Sequence, residues 1–418
     1  MTRATAAAVT VRTLQGDAEL DAYFSLAAET FGGYHAVHCT PTADGLAAGW
    51  RHFNETAPGF QPGYLRGAFV GDALAGGCIH DERWLRLEGT TLRTGYIGGL
   101  VTQPAQRGLG VASSLMRDSL DRARRGGQAL LVLQGIPDFY HRFGYADVID
   151  LTEHAVEVER IPSAANQEVA VGLASIADAP ALLDLYDRHF CRYAGAYARS
   201  LDQQEHLLRH RSSPPVIAVD GAGRARGYLL LPCRPDRSLA AEVAADTWPA
   251  TLALLQHHAR SLDSGPTELR WPLPPGSPTH HHLADNLPVT SRTISRPDAG
   301  WMARPGDLGA LFAGLLPVWR QRWERLRTQW AGQLGLETDG QRVCLELSDG
   351  ALRRVDRLDK GGILVHLTAP VLAQLVFGYR PVAWATSRLD RTIPDPALAP
   401  LGVLFPTLPA WYAASNRC

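Results

Sequence analysis

Alternating apolar and polar positions over residues 9–13 predict a strand, and DAELDAYFSLAAETFG, apolar at helical spacing, predicts the helix that follows it. The Gly32-Gly33 pair stops that helix. Leu46 and Trp50, four apart, mark a second helix running through His52, and FNETAPGFQPG reads as a loop. Residues 63–102 then read as an antiparallel meander with turns at Gly71-Asp72 and Glu88-Gly89. VASSLMRDSLDRARRGG places Val111, Leu115 and Leu120 on one helical face and stops at Gly126-Gly127. ALLVLQGI has the length and composition of a buried strand, and EHAVEVERI alternates at period two, so a strand near residues 153–161 is expected to close the first sheet.

Ser163 to Gln167 reads as a linker, after which the cycle starts again. One long helical stretch runs from IADAPALL to LLRHR, a hairpin turns at Gly221-Ala222-Gly223, AAEVAAD is a strand, and TWPATLALLQHHARSLDSG a helix. TELRWPLPP resembles a further strand. Past Arg296 the pattern becomes helix (DLGALFAGLLPVWRQRW), paired strands (GQLGLETDGQRVCLELSDGALRRVD), a helix from Ala369 to Phe377, and a proline-rich tail ending LFPTLPAWYAASNRC. The expected organisation is three domains, at residues 1–160, 161–295 and 296–418, of mixed α/β (α+β) class.

Length agrees, since 418 residues make two or three domains of ordinary size. A formal charge of -1 provides no basic field for a nucleic acid or an anionic membrane, so neither is an expected partner. Cys39, Cys78, Cys191, Cys233, Cys344 and Cys418 are scattered without a CxxC pair, as expected of reduced thiols in a cytoplasmic protein. Neither a signal-peptide pattern nor an apolar run of about 18 residues occurs, which fits the same compartment.

Candidate chemistry concentrates between residues 96 and 145. The strand carrying Leu100, Val101 and Thr102 leads through PAQ into Arg107-Gly108-Leu109-Gly110-Val111-Ala112-Ser113 at the start of the helix. Glycines at that junction let backbone approach a ligand, and the first N–H groups of a helix lack intrahelical acceptors, so the junction suits a pyrophosphate. Two such glycines alone also fit a tight turn into a surface helix. The spacing is R-x-x-G-x-A, through Arg107, Gly110 and Ala112, rather than G-x-G-x-x-G or a Walker loop. In the second cycle Asp246-Thr247-Trp248-Pro249 stands at the equivalent junction, so that unit is expected to be a degenerate copy without a phosphate site.

Strand, R-x-x-G-x-A, helix, strand and FYHRFGY together resemble the Gcn5-related N-acetyltransferases (GNAT). The three-part layout, with its LFP and PAW segments near the terminus, resembles the Eis-like members of that family. The resemblance implies tandem GNAT folds, the second degenerate, and a sterol-carrier-protein-like third domain in a hexameric enzyme. It implies acetyl-CoA as co-substrate, bound by residues 107–113 and also touched by Gly135 and Ile136, with no metal. The acceptor is a small-molecule or peptide amine, such as an aminoglycoside, a polyamine or a lysine-like group. Backbone N–H groups of Leu100 to Thr102 would polarise the thioester carbonyl. Tyr140 takes the position of the general acid, with packing of the core beneath the loop as its other reading; Phe143 and Tyr145 read as packing residues. The resemblance gives the base as the C-terminal carboxylate, here of Cys418, where the family has an aromatic residue. Glu29, His35 and His38 are other possible proton relays, and Asp17, Glu19, Asp21 and Glu29 could make an acidic acceptor cleft.

Other clusters weigh less. His280-His281-His282 lacks metal-ligand spacing and reads as a solvated loop, and His257-His258 lies late in a helix, where a cation is favoured. A different class of function, a non-catalytic acetyl-CoA or small-molecule sensor, fits the altered terminus, and a transferase of longer acyl chains fits a wider cleft. The intact FYHRFGY segment opposes the sensor.

Overall fold

A computed structural model describes residues 8–32, 43–163, 168–210, 213–232, 237–262, 265, 267–295, 300–326 and 330–412. The chain opens with β1 (Val9–Thr13), α1 (Gly16–Phe31), α2 (Ala43–Glu55), β2 (Leu65–Val70), β3 (Ala73–Leu87), β4 (Thr90–Thr102), α3 (Val111–Gly126), β5 (Leu130–Gln134) and β6 (Ala146–Ile149). β1 to β4 pair antiparallel in sequence order, as the meander predicts, and β5 joins β4 in parallel after the α3 crossover. Alternation along the strands divides the core. Cys78, Ile97 and Leu131 pack with Val111 and Leu115 of α3 on one face, while Ile79 and Val101 pack with Tyr23 and Phe24 of α1 and Trp50 of α2 on the other.

The next segment comprises β7 (Leu151–Glu157), β8 (Val169–Leu173), α4 (Ala179–Phe190), α5 (Leu201–Arg209), β9 (Val216–Asp220), β10 (Ala225–Leu230), β11 (Glu242–Ala245), α6 (Trp248–Arg260), β12 (Glu268–Trp271), α7 (Pro278–Asn286) and β13 (Thr290–Ile294). The single helix expected over 176–210 is therefore two. Residues between them leave helical geometry to pair with β3: the Arg86 N–H donates to the Ala196 carbonyl at 2.7 Å, and the Gly195 N–H to the Arg86 carbonyl at 3.0 Å. Ser200 and Gln203 then form a reciprocal capping box that restarts the helix. The histidine run also differs from its expectation. His280 to His282 lie in α7, whose first turn is capped by Ser277 with Pro278 at its start.

The remaining elements are β14 (Trp301–Pro305), α8 (Leu308–Leu326), β15 (Gly332–Thr338), β16 (Gln341–Ser348), β17 (Ala351–Val355), β18 (Ile363–His366), α9 (Ala369–Val376), α10 (Val382–Thr386) and α11 (Asp395–Leu404). β15 to β18 form a four-stranded sheet in the order β17-β16-β15-β18, covered by α8. The tail expected to be loop-rich contains α10 and α11, which bury Leu401, Leu404 and Phe405.

The closing strand of the first sheet is the main correction. β7, expected there, instead sits between β12 and β13 in a three-stranded sheet. The first sheet runs β1-β2-β3-β4-β5-β14-β6, so β14 threads back between β5 and β6, antiparallel to both. Strands more than 150 residues apart thus complete one sheet. Among the described residues, no helix is long and apolar enough to cross a membrane.

Candidate active site

β4 and β5 pair only from Thr94↔Leu130 to Ile97↔Leu133 and then diverge. Two local causes hold them apart. On one side β4 carries a bulge, since Ile79 faces Gly98 but Gly77 faces Val101, and Gly99 there takes a positive φ of 55°. Tyr23 of α1 fixes the bulge by donating its hydroxyl to the Gly99 carbonyl at 3.0 Å; a Cβ at Gly99 would lie 2.4 Å from the Tyr23 hydroxyl oxygen. On the other side β5 changes partner, with Gln134 facing Trp301 and the Gly135 N–H donating to the Gly300 carbonyl at 2.8 Å.

Past the bulge, the Gln103 N–H donates to the Ala75 carbonyl of β3 at 2.9 Å. Alternation therefore turns the Thr102 N–H the other way, into the opening between β4 and β5. Leu100, Val101 and Thr102 line a cleft of about 440 Å³ there, together with Arg107, Gly108, Gly110, Val111, Ala112 and Ser113 at the start of α3. Ile136, Phe139, Tyr140 and Arg142 form its far wall, and Thr30 of α1 touches it as well.

The loop into α3 has the backbone its glycines suggest. Gly108 and Gly110 have φ of 81° and 82°, in the left-handed region where other residues are strained. A Cβ at either would meet nothing within 4 Å, so the space above both remains open for a ligand. Gly110 is the N-cap of α3, and no side chain caps the helix start. Uncapped N–H donors at the positive end of a 16-residue helix suit a pyrophosphate.

Tyr140 opens a short 3-10 turn over 140–143 that ends at Gly144, whose φ is 80°. Its ring packs edge-on against Phe139 at 4.8 Å and lies in the same cluster as Leu133 and Met302. Burial pushes the Tyr140 phenol well above its ordinary pKa, with the nearby Cys78 and Tyr96 adding to the shift. The hydroxyl therefore stays protonated across the neutral range. Behind this turn, Arg304 of β14 donates to the Phe143 carbonyl and pairs with Asp339 of the β15–β16 turn. Tyr145 is buried against this support, in keeping with a packing residue.

Most of the sequence-predicted positions are thus brought together, with three exceptions. Leu109 is half exposed and does not line the cleft, and Gly135 is buried, its N–H committed to the Gly300 carbonyl just before β14, where a Cβ would collide with the Met302 sulfur. Cys418, like His35 and His38, lies outside the described residues. The chain leading to it can be followed to Tyr412. Trp411 stacks on Phe190 at 3.9 Å and donates its indole N–H to the Pro272 carbonyl, and Tyr412 stacks on Trp301 at 4.7 Å. Trp301 is the cross-strand neighbour of Gln134, one residue before Gly135 and two before Ile136.

The proposed acidic acceptor cleft is not free. Glu19 pairs with Arg12, while Asp17 and Asp21 share the single Arg51 cation with Glu55, so three of its four carboxylates are held in ion pairs although the group keeps a net negative charge. Among the described residues, no group of His, Cys, Asp and Glu is arranged to hold a metal. The missed residue with the clearest role in shaping the cleft is Tyr23, whose contact spans 76 positions and leaves no local signal beyond an apolar helical site.

In the second unit the matching positions are closed. β11 and β12 approach in parallel only near Leu239↔Arg270 and then separate. The Ala245 N–H donates into the gap to the Thr279 hydroxyl of α7 at 2.9 Å, and Thr247 caps α6 by accepting from the Ala250 N–H. The N–H groups of Ala245 and Ala250 thus have side-chain acceptors at this junction.

Residues 10–148 match the acetyltransferase (GNAT) domain. Among curated proteins, no sequence matches the chain. The fold of the whole chain is similar to that of a GCN5-related N-acetyltransferase from Kribbella flavida, with a TM-score of 0.71 and 20% identity over 98% of this chain and 99% of that one. Another GCN5-related N-acetyltransferase, from Anabaena variabilis, gives 0.71 and 14% over 97% and 99%. Eis1 from Mycobacterium abscessus gives 0.63 and 18% over 98% and 100%. The residues that shape the cleft and the domain match over the same stretch agree: this chain carries an acetyltransferase (GNAT) domain over residues 10–148.

Proposed function

We propose that the chain transfers an acetyl group from acetyl-CoA directly to a primary amine, in an Eis-like arrangement. The first unit, nominally 1–160 with β14 added, performs the chemistry; the unit over 161–295 is degenerate, and 296–418 is a sterol-carrier-like part. The observation that carries the reading is that an uncapped helix start, the strand end carrying Leu100 to Thr102 and the Tyr140 side chain share one cleft. Likeness of fold to Eis1 over nearly the whole chain supports the three-part layout.

In this reading Gly108, Gly110 and the first turn of α3 hold the pyrophosphate, and Arg107 adds a cation at its edge. The N–H groups of Leu100 and Thr102 polarise the thioester carbonyl and stabilise the oxyanion as the amine nitrogen attacks. As the C–S bond breaks, Tyr140 gives its proton to the departing thiolate, and the new C–N bond carries the acetyl group away on the acceptor. The dry surroundings that raise the phenol pKa raise that of the thiolate as well, so the two remain matched.

An alkyl ammonium must first lose a proton. We assign that role to the Cys418 carboxylate, supported by the course of the tail, which stacks Tyr412 on Trp301 beside the end of β5. The acceptor class is an aminoglycoside, a polyamine or a lysine-like amine.

The test is CoA release with acetyl-CoA and a panel of such amines, for the full chain and a chain shortened by three residues. Turnover with at least one amine, reduced about tenfold or more by the shortening while acetyl-CoA affinity holds, is expected. Tight acetyl-CoA binding without turnover on any amine would instead favour a sensor, and undiminished turnover in the shortened chain would remove Cys418 from the mechanism.

A further inference from the structure

At the other end of α3 lies a second cavity, of about 370 Å³, that shares no residue with the cleft. Along α3 the centres of the two linings are about 12 residues apart, or about 18 Å. Arg93 of β4, Arg122 and Arg125 of α3, Glu82 and His80 of β3, Gln128 and Tyr64 are among the residues that line it.

Its charge is not balanced. Glu82 is committed to Arg93 at 2.7 Å. Asp118, the acid that acts most strongly on Arg122, is bound to Arg66 by two hydrogen bonds of 2.8 and 2.9 Å. Among the described residues, neither Arg122 nor Arg125 has a carboxylate partner, and the Arg122 Nε is buried without a hydrogen-bond acceptor. Burial is the largest influence lowering the Arg122 pKa, and the Arg66 cation the next.

Helix capping does not account for these cations. The last-turn carbonyls of Ala123 and Arg124 accept from the Gly127 N–H, and that of Gly126 accepts from Arg93. His80 adds a second orphan: its Nε2 donates to the Gln128 Oε1 at 2.8 Å, above Gly95, where a Cβ would collide with both, and its Nδ1 is buried without a partner.

Three guanidinium groups against one carboxylate leave two uncompensated positive charges in a cavity large enough for a small tetrahedral oxyanion. We propose that this cavity, between the end of α3 and the β3–β4 pair, is a second ligand site that binds a dianionic phosphate group, held by Arg122 and Arg125. It is distinct from the cleft at the helix start and does not depend on the acetyl-transfer reading.

Titration calorimetry of the full chain with inorganic phosphate, at ionic strength held constant by chloride, tests it. One saturable site is expected, weakened about tenfold or more in Arg122→Gln and in Arg125→Gln, as the loss of a charge-assisted contact implies. The urea unfolding midpoints of both variants should match that of the parent and so show that they fold. Phosphate binding of equal strength in the variants would place the ion at the start of α3 and overturn the proposal, as would the absence of saturable binding. A phosphate monoester that competes with inorganic phosphate would show that the site takes an esterified ligand; failure to compete would restrict it to the free ion.

Discussion

Single residues explain why the cleft could be located from the chain alone. A left-handed φ is written into sequence as glycine, so Gly108 and Gly110 announce the turn above the helix start, and FYHRFGY announces Tyr140. Leu109 and Gly135 were carried along by their neighbours, and neither lines the cleft, because adjacency in sequence does not fix which way a residue faces. Tyr23 had no local signature, since its meaning arises only from a bulge in a distant strand. Gly110→Ala isolates the conformational term, because no atom lies near the added methyl. It should cost about 1–2 kcal/mol of stability, read by urea unfolding, and weaken acetyl-CoA binding. A variant as stable as the parent would show that the loop relaxes out of the left-handed region.

At the scale of elements, strongly periodic segments were legible and short polar ones were not. The meander, α1, α3 and α8 follow directly from spacing, whereas α7 is a short helix rich in histidine whose main signal is the Ser277-Pro278 start. Helical spacing runs on from α4 into α5, and only the pairing of residues 195–198 with β3 overrides it. His258 reverses the expectation of a cation at a helix end. It is fully buried in α6, its Nε2 donating to the Arg237 carbonyl at 2.7 Å and its Nδ1 accepting from the Trp271 indole at 3.1 Å. Burial lowers its pKa to about 4. The folded value lies below the unfolded one, near 6.5, so the stabilisation is complete above pH 6.5 and is lost as pH falls towards 4. Between pH 7 and 5 the parent should lose about 2 kcal/mol through this group, and His258→Gln should lose less over the same interval. Equal slopes in urea unfolding would remove His258 from the acid response.

For the whole molecule, the order of many strands and helices could be read but the closure of the first sheet could not. Nothing in residues 301–305 says that they belong between β5 and β6, because a short apolar strand carries no address, and the pairing spans about two fifths of the chain. The consequence is physical. A fragment ending at residue 160 would leave β5 unpaired on one edge and deprive β6 of its only partner in the first sheet. Such a fragment should fail to unfold cooperatively and should not bind acetyl-CoA, whereas a self-sufficient fragment would contradict the role given to β14. The cleft is thus local in its chemistry and global in its support, with Arg304 tying its tyrosine turn to the last sheet.

The account's central claim is that the cleft transfers acetyl groups with Tyr140 as the proton donor, and steady-state turnover against acetyl-CoA affinity for Tyr140→Phe tests it most directly. The variant keeps the ring in its packing against Phe139 and removes only the proton. The expected result is a fall in kcat of about tenfold or more at unchanged acetyl-CoA affinity. Equal kcat in parent and variant would contradict it.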